Sequence, residues 1–132
     1  MVRNITTKKS IKTSNAPSAI GPYSQAIEVN NFIFCSGQIG VNPKTNIVVS
    51  GIKAQTQQAL KNLRYVLVSA NSSLDYVVRV DIFLKKINDF NAVNEVYSKF
   101  FKKDPPARQT VEVSNLPKNA FIEISCIAYK NE

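Results

Sequence analysis

Two charged residues stand inside apolar runs near the C-terminus, and their types suit chemistry on a small anion. Arg108 lies in Pro105-Pro106-Ala107-Arg108-Gln109-Thr110-Val111-Glu112-Val113, and Glu123 in Ala120-Phe121-Ile122-Glu123-Ile124-Ser125-Cys126-Ile127-Ala128. Charges in such runs are costly to desolvate unless they are paired or put to use. A guanidinium is a planar fork that matches a carboxylate. A carboxylate in an apolar wall has its pKa raised by desolvation and can exchange protons at working pH. The two segments together predict a small anionic substrate and a proton-handling acid. The competing structural reading pairs Arg108 with Glu112 or Glu123, and Asp81 and Glu112 are further acids within apolar strands.

The chain contains no histidine. His-based triads, His-dependent nuclease chemistry and the familiar His-containing zinc sites are thereby removed. Acid–base catalysis is left to Asp, Glu, Lys, Tyr or water. Cys35 and Cys126 have neither disulfide-framework nor zinc spacing, and Cys126 shares strand parity with Ile122 and Ile124, so it reads as a small core residue. Reduced thiols in a cytoplasmic setting follow. No P-loop or dinucleotide fingerprint is present, and neither a cofactor nor a metal is expected.

At 132 residues the chain is long enough for one core and too short for two ordinary ones. No apolar stretch approaches the roughly 18 residues of a membrane span, so a soluble protein is expected. The net charge is +8, and Arg3, Lys8, Lys9 and Lys12 concentrate part of it in an acid-free start. That start divides the chain into a basic segment over residues 1–14 and a single domain over 15–132. Its Ser/Thr-rich character weakly resembles an organelle presequence, which leaves the mitochondrion or another organelle as an alternative location. The bases show no aromatic-interleaved RNA motif, so nucleic-acid binding would be weak and nonspecific.

These residues must be positioned by an α+β domain. Ser24–Val29 and Phe32–Ser36 read as strands joined at Asn30-Asn31, residues that tolerate positive φ in a tight hairpin. From Ile52 to Ala70, Ala59, Leu60, Leu63, Val66 and Leu67 recur at helical spacing. Val77–Leu84 reads as a strand. A second helix, capped by Asn88 or Asp89, carries Phe90, Val93, Tyr97, Phe100 and Phe101 as one stripe. Two final strands, 107–114 and 120–129, flank a Pro/Asn turn and read as a closing hairpin, and a further strand is expected near Asn4–Lys8. Two helices cover one face of such a sheet, so the other must meet solvent or another subunit.

Four ordered blocks resemble the RidA/YjgF/endoribonuclease L-PSP family. They are Asn15-Ala16-Pro17 through Gly21-Pro22-Tyr23-Ser24-Gln25-Ala26; Ser36-Gly37-Gln38-Ile39; Pro106-Ala107-Arg108; and Leu116-Pro117-Lys118 through Ile122-Glu123-Ile124. Asn88-Asp89-Phe90 with Val93-Asn94 and Tyr97 also fits. The resemblance implies a chorismate-mutase-like α+β fold, a mixed sheet of about six strands with two helices on one face. It implies homotrimers with sites between subunits. It further implies cofactor-free hydrolysis of reactive 2-imino acids such as 2-iminobutanoate and 2-iminopropanoate, or their enamines, to 2-oxo acids and ammonia, which protects PLP enzymes. Arg108 would grip the substrate carboxylate, and Glu123 would activate water or relay the proton to nitrogen. Tyr23, Ser36, Gly37 and Asn94 would line the pocket. Many relatives have cysteine where this chain has Thr110, which makes a thiol mechanism a poor fit. RNA binding or endoribonuclease activity, and noncatalytic sensing of a small metabolite, are the alternative functions.

Overall fold

The computed structural model describes residues 7–130. Strands β1 (Lys9–Ile11), β2 (Ala26–Val29), β3 (Phe32–Ile39), β4 (Val41–Asn42) and β5 (Ile47–Val48) precede helix α1 (Ile52–Ser69). Strand β6 (Val77–Leu84), helix α2 (Phe90–Phe100), β7 (Ala107–Glu112) and β8 (Ile122–Tyr129) follow. Asn30 and Asn31 both take positive φ, 50° and 63°, so β2 and β3 close through the expected tight turn with Val29 opposite Phe32. The strand expected near Asn4–Lys8 begins at Lys9 instead. Asn4 to Thr6 lie outside the described residues, as does Arg3. β1 falls within the basic segment and pairs with β2, placing Ile11 in the core.

Helix α1 forms where the periodicity placed it. Ala59, Leu60, Leu63, Val66 and Leu67 are each at most 1% exposed, and burying side chains of the larger kinds contributes about 1.5–3 kcal/mol apiece. It stops because Asn71 adopts a left-handed φ of 61°. Asn71 N then donates to Val68 O, and Ser72 N to Leu67 O, which satisfies the last carbonyls. Asp89 occupies the N-cap position of α2, but its side chain makes no capping hydrogen bond, contrary to the expectation for Asn88 or Asp89. No helix among the described residues is long and apolar enough to cross a membrane.

The main sheet runs β1-β2-β3-β8-β6-β7, and only β6 and β7 are parallel. The two last strands therefore do not form the expected hairpin. β8 sits between β3 and β6, while β7 is the edge strand beyond β6. Apolar content explains this placement. Ile122, Ile124, Cys126 and Ala128 are all at most 3% exposed, so β8 belongs at the centre. β7 alternates Arg108 and Thr110 with exposed residues and tolerates an edge. The connection β6-α2-β7 then requires a parallel pair, because a helix returns the chain to the same end of the sheet.

α1 packs across β3 and β8 and against α2. Both helices lie on one face, and the opposite face leaves Phe32, Phe34 and Phe121 exposed. Cys35 faces Cys126 across β3 and β8, and both are buried, as the core reading of Cys126 required. Its hydrogen bond to Cys35, which the neutral thiol donates, together with burial raises the Cys126 pKa well above its ordinary value, so Cys126 is no thiolate nucleophile.

Candidate functional site

The two charged residues occupy opposite faces of the sheet. Arg108 is in register with Val80, which is fully buried beneath the helices, so Arg108 shares the helix-covered face. Glu123 alternates with fully buried Ile122 and Ile124 and therefore points to the open face, in register with Phe83 and Ile39. Period-two parity forces this separation, since both strands belong to one continuous sheet. Each residue therefore has surroundings of its own.

Beside Glu123 is a cleft of about 190 Å³ between the β3 end and the segment before β8. Tyr23, Gly37, Asn46, Lys118 and Glu123 line it, with Ile20 and Val41 among its apolar walls. Glu123 is half-buried and makes no ion pair or hydrogen bond among the described residues. Burial alone raises its pKa above the ordinary glutamate value. Gly37 lies in a bulge where the β3–β8 register shifts between Cys35 and Gln38. A Cβ at Gly37 would stand 2.8 Å from Glu123 Cδ, so the glycine lets the carboxylate lie against the backbone. Gly37→Ala should displace Glu123 and lower any activity that depends on its carboxylate by about a hundredfold, with the thermal midpoint nearly unchanged because the clash falls on one half-buried side chain rather than on backbone. A thermal melt paired with an activity assay checks this, and full activity would show that the close approach has no catalytic weight.

Tyr23 is half-exposed in the cleft wall rather than packed in the core. Ser36 does not line this cleft. Its hydroxyl donates to Ser24 O at 2.6 Å and its amide to Gln25 O at 3.0 Å, which holds the bulge against the segment leading into β2.

The Arg108 side chain lies between β7 and α2. The guanidinium carbon is 4.7 Å from the Tyr97 ring centroid and 5.4 Å from that of Phe90. Asn94 follows Phe90 by one helical turn and precedes Tyr97 by three residues, so it shares that face of α2. Arg108 forms no ion pair and no hydrogen bond among the described residues. The structural reading of Arg108 therefore fails on both acids. Glu123 is across the sheet, and Glu112 accepts instead from Ile87 N at 2.9 Å. Asp81 is likewise occupied, by Arg79 at 3.1 Å. Two buried oxygens near Arg108, Tyr97 Oη and Thr110 Oγ1, have no hydrogen-bond partner in full geometry among the described residues.

Buried amides that no periodic pattern singles out hold the Glu123 cleft in shape. Gln25 is 4% exposed; its Nε2 donates to Pro17 O at 2.7 Å and Thr13 O at 3.1 Å, and its Oε1 accepts from Thr13 N at 2.7 Å. That clamp fixes the segment carrying Pro17, Ser18 and Ile20 at the cleft wall. From α1, Asn62 Nδ2 donates to Val41 O and Ile39 O, and Gln55 Oε1 accepts from Phe121 N. Polar residues on the buried stripe of α1 were the available signal, because an amide inside a core must satisfy irregular backbone nearby.

Two helices on one face of a mixed six-stranded sheet place the chain among small α+β proteins, the class to which the family comparison also points. The model of the endoribonuclease L-PSP family matches residues 13–130, and the chain belongs to that family. A RutC family protein of Pyrococcus horikoshii is 52% identical over 93% of this chain and 98% of its own length. A 2-iminobutanoate/2-iminopropanoate deaminase of Dermatophagoides farinae is 47% identical over 91% of this chain and 94% of its own. The solved structure of YyfA from Yersinia pestis, a protein of unknown function in the conserved Rid family, superposes with a TM-score of 0.91 at 50% identity, covering 93% of this chain and 99% of that one.

Proposed function

We propose that this protein hydrolyses small 2-imino acids, 2-iminobutanoate and 2-iminopropanoate among them, in sites formed between copies of a homotrimer. The carrying observation is the pair of half-sites: a guanidinium without an anion on one face and a desolvated carboxylate without a cation on the other. A substrate touching both must lie between two copies, because the sheet separates them in one. The exposed aromatic residues of the open face, Phe32, Phe34 and Phe121, support burial against a second copy. The deaminase of Dermatophagoides farinae, 47% identical, supports the choice of substrate.

In this reading Arg108 of one copy takes the substrate carboxylate through two parallel N–H donors. Glu123 of the next copy accepts a proton from the water that attacks the C=N carbon. Glu123 returns that proton to nitrogen, the C–N bond of the carbinolamine breaks, and the hydroxyl proton passes to the departing ammonia, so the iminium plus water becomes the 2-oxo acid plus ammonium. The desolvated environment suits the carboxylate to both steps, because its raised pKa makes it the stronger base and a ready acid in turn.

The direct test couples an amino-acid dehydratase to this protein and follows 2-oxo acid release. Accelerated release supports the reading, and an uncatalysed rate at saturating protein removes it. Arg108→Lys keeps the charge but loses the fork, so one charge-assisted hydrogen bond worth about 1.5–3 kcal/mol should go, roughly tenfold to hundredfold in kcat/KM. Sedimentation should give a trimer, and an active monomer would overturn the shared site.

A further inference from the structure

Tyr97 is a core residue by position, yet its hydroxyl is not satisfied as a core hydroxyl should be. The residue is 6% exposed, and Oη is buried without a hydrogen-bond partner among the described residues. A buried hydroxyl left in this state costs about 1–3 kcal/mol, and phenylalanine would fill the same space without that cost. The guanidinium of Arg108 lies over the ring at 4.7 Å, close enough to act on the hydroxyl but short of the geometry of a full hydrogen bond to Oη. Unused donors of an arginine and an unused phenol thus lie side by side, beside Phe90 and next to the α2 face that carries Asn94. Burial pushes the Tyr97 pKa up to about 12 against the opposing charge and weak hydrogen bonding of Arg108, so the phenol keeps its proton at neutral pH and can donate.

We infer that Tyr97 is a substrate-binding residue, its hydroxyl donating to the same carboxylate that Arg108 binds. This rests on the reading of Arg108 as the carboxylate site. In the unliganded chain the guanidinium rests on the Tyr97 and Phe90 rings, a cation–π position that holds it without satisfying its N–H groups. An incoming carboxylate draws the guanidinium outward, which uncovers Oη. One carboxylate oxygen then accepts from Arg108 alone and the other from both Arg108 and Tyr97. The orphaned hydroxyl is the cost of keeping a neutral donor ready, and ligand binding removes that cost. Two donor types on one carboxylate also select against a mere point anion, because chloride cannot span a guanidinium and a phenol at once.

The test is calorimetric titration of the intact oligomer with 2-oxobutanoate, a stable carboxylate of the product class, on wild type, Tyr97→Phe and Arg108→Lys, with thermal melts of each. Tyr97→Phe should weaken binding by about tenfold while melting at the same temperature as wild type or higher, since an unsatisfied hydroxyl has been removed. KM for the imine should rise more than kcat falls. Unchanged affinity in Tyr97→Phe, with Arg108→Lys weakened, would overturn this inference and leave the carboxylate site standing. A lowered melting temperature in Tyr97→Phe would show a structural hydroxyl and overturn it as well. Failure of wild type to bind 2-oxobutanoate would remove the carboxylate reading of Arg108 and this inference with it.

Discussion

Glu123→Gln should give a folded oligomer that still binds the substrate carboxylate but hydrolyses the imine about 10²–10⁴-fold more slowly. Glutamine keeps the volume and the hydrogen-bonding atoms of the side chain and removes only the proton exchange. Stability should move the other way. The native state holds a proton on Glu123 more tightly than the unfolded chain, because burial raises its pKa above the ordinary 4.5. As pH rises from that value through the raised one, wild type loses stability by ionising a half-buried carboxylate, and the loss is complete above the folded-state pKa. The mutant has no such loss. Its thermal midpoint should match wild type in acid and exceed it at neutral pH. The acidic limb of kcat/KM against pH should lie above the ordinary glutamate range and disappear in the mutant. Wild-type turnover in Glu123→Gln would make the residue structural. A mutant less stable than wild type at neutral pH would contradict the unpaired, desolvated carboxylate.

The sequence patterns were legible wherever one periodicity decided the outcome. The stripe Ala59-Leu60-Leu63-Val66-Leu67 could bury only as a helix, and Asn30-Asn31 could turn only through positive φ. The pairing of the last two strands was not legible in that way, since nearness in sequence suggested a hairpin and the burial of the whole Ile122-Ile124-Cys126-Ala128 face put β8 at the centre instead. The strand–helix–strand order from Val77 to Glu112 did hold the answer, because a helical crossover makes those strands parallel and leaves β8 to pair elsewhere. For the site, Arg108 and Glu123 stood out by chemistry, but their placement on opposite faces needed the register of each strand against β6. Side-chain parity along one strand says nothing about parity on another until the pairs are known. Gln25 left no periodic trace either, because its partners are carbonyls of the loop eight to twelve residues before it, and Asn62 showed only as a polar residue on the buried stripe of α1.

Two inactive variants, Arg108→Ala and Glu123→Gln, should recover activity when their subunits are mixed. Each variant alone lacks one half of every site. In a mixed oligomer, a site with its arginine from the Glu123→Gln chain and its glutamate from the Arg108→Ala chain has both native residues. Random assembly of equal amounts makes such sites about a quarter of the total in a symmetric oligomer, so recovery should approach about a quarter of wild-type activity. A site contained in one chain predicts no recovery at any ratio, because no chain in the mixture carries both residues. The sheet argues for the first outcome. Arg108 lies under α2 with the Tyr97 ring, Glu123 lies on the open face with Gly37 against it, and the backbone of β6 and β8 stands between them. No rotamer of either side chain passes through a hydrogen-bonded sheet, whereas a neighbouring copy laid on the open face can bring its own β7 edge to the Glu123 cleft. The subunits should be unfolded together and reassembled, with mass spectrometry confirming mixed oligomers and each variant reassembled alone as the control. Confirmed mixing with no gain over those controls would place the reacting residues in one protomer and end the shared-site mechanism.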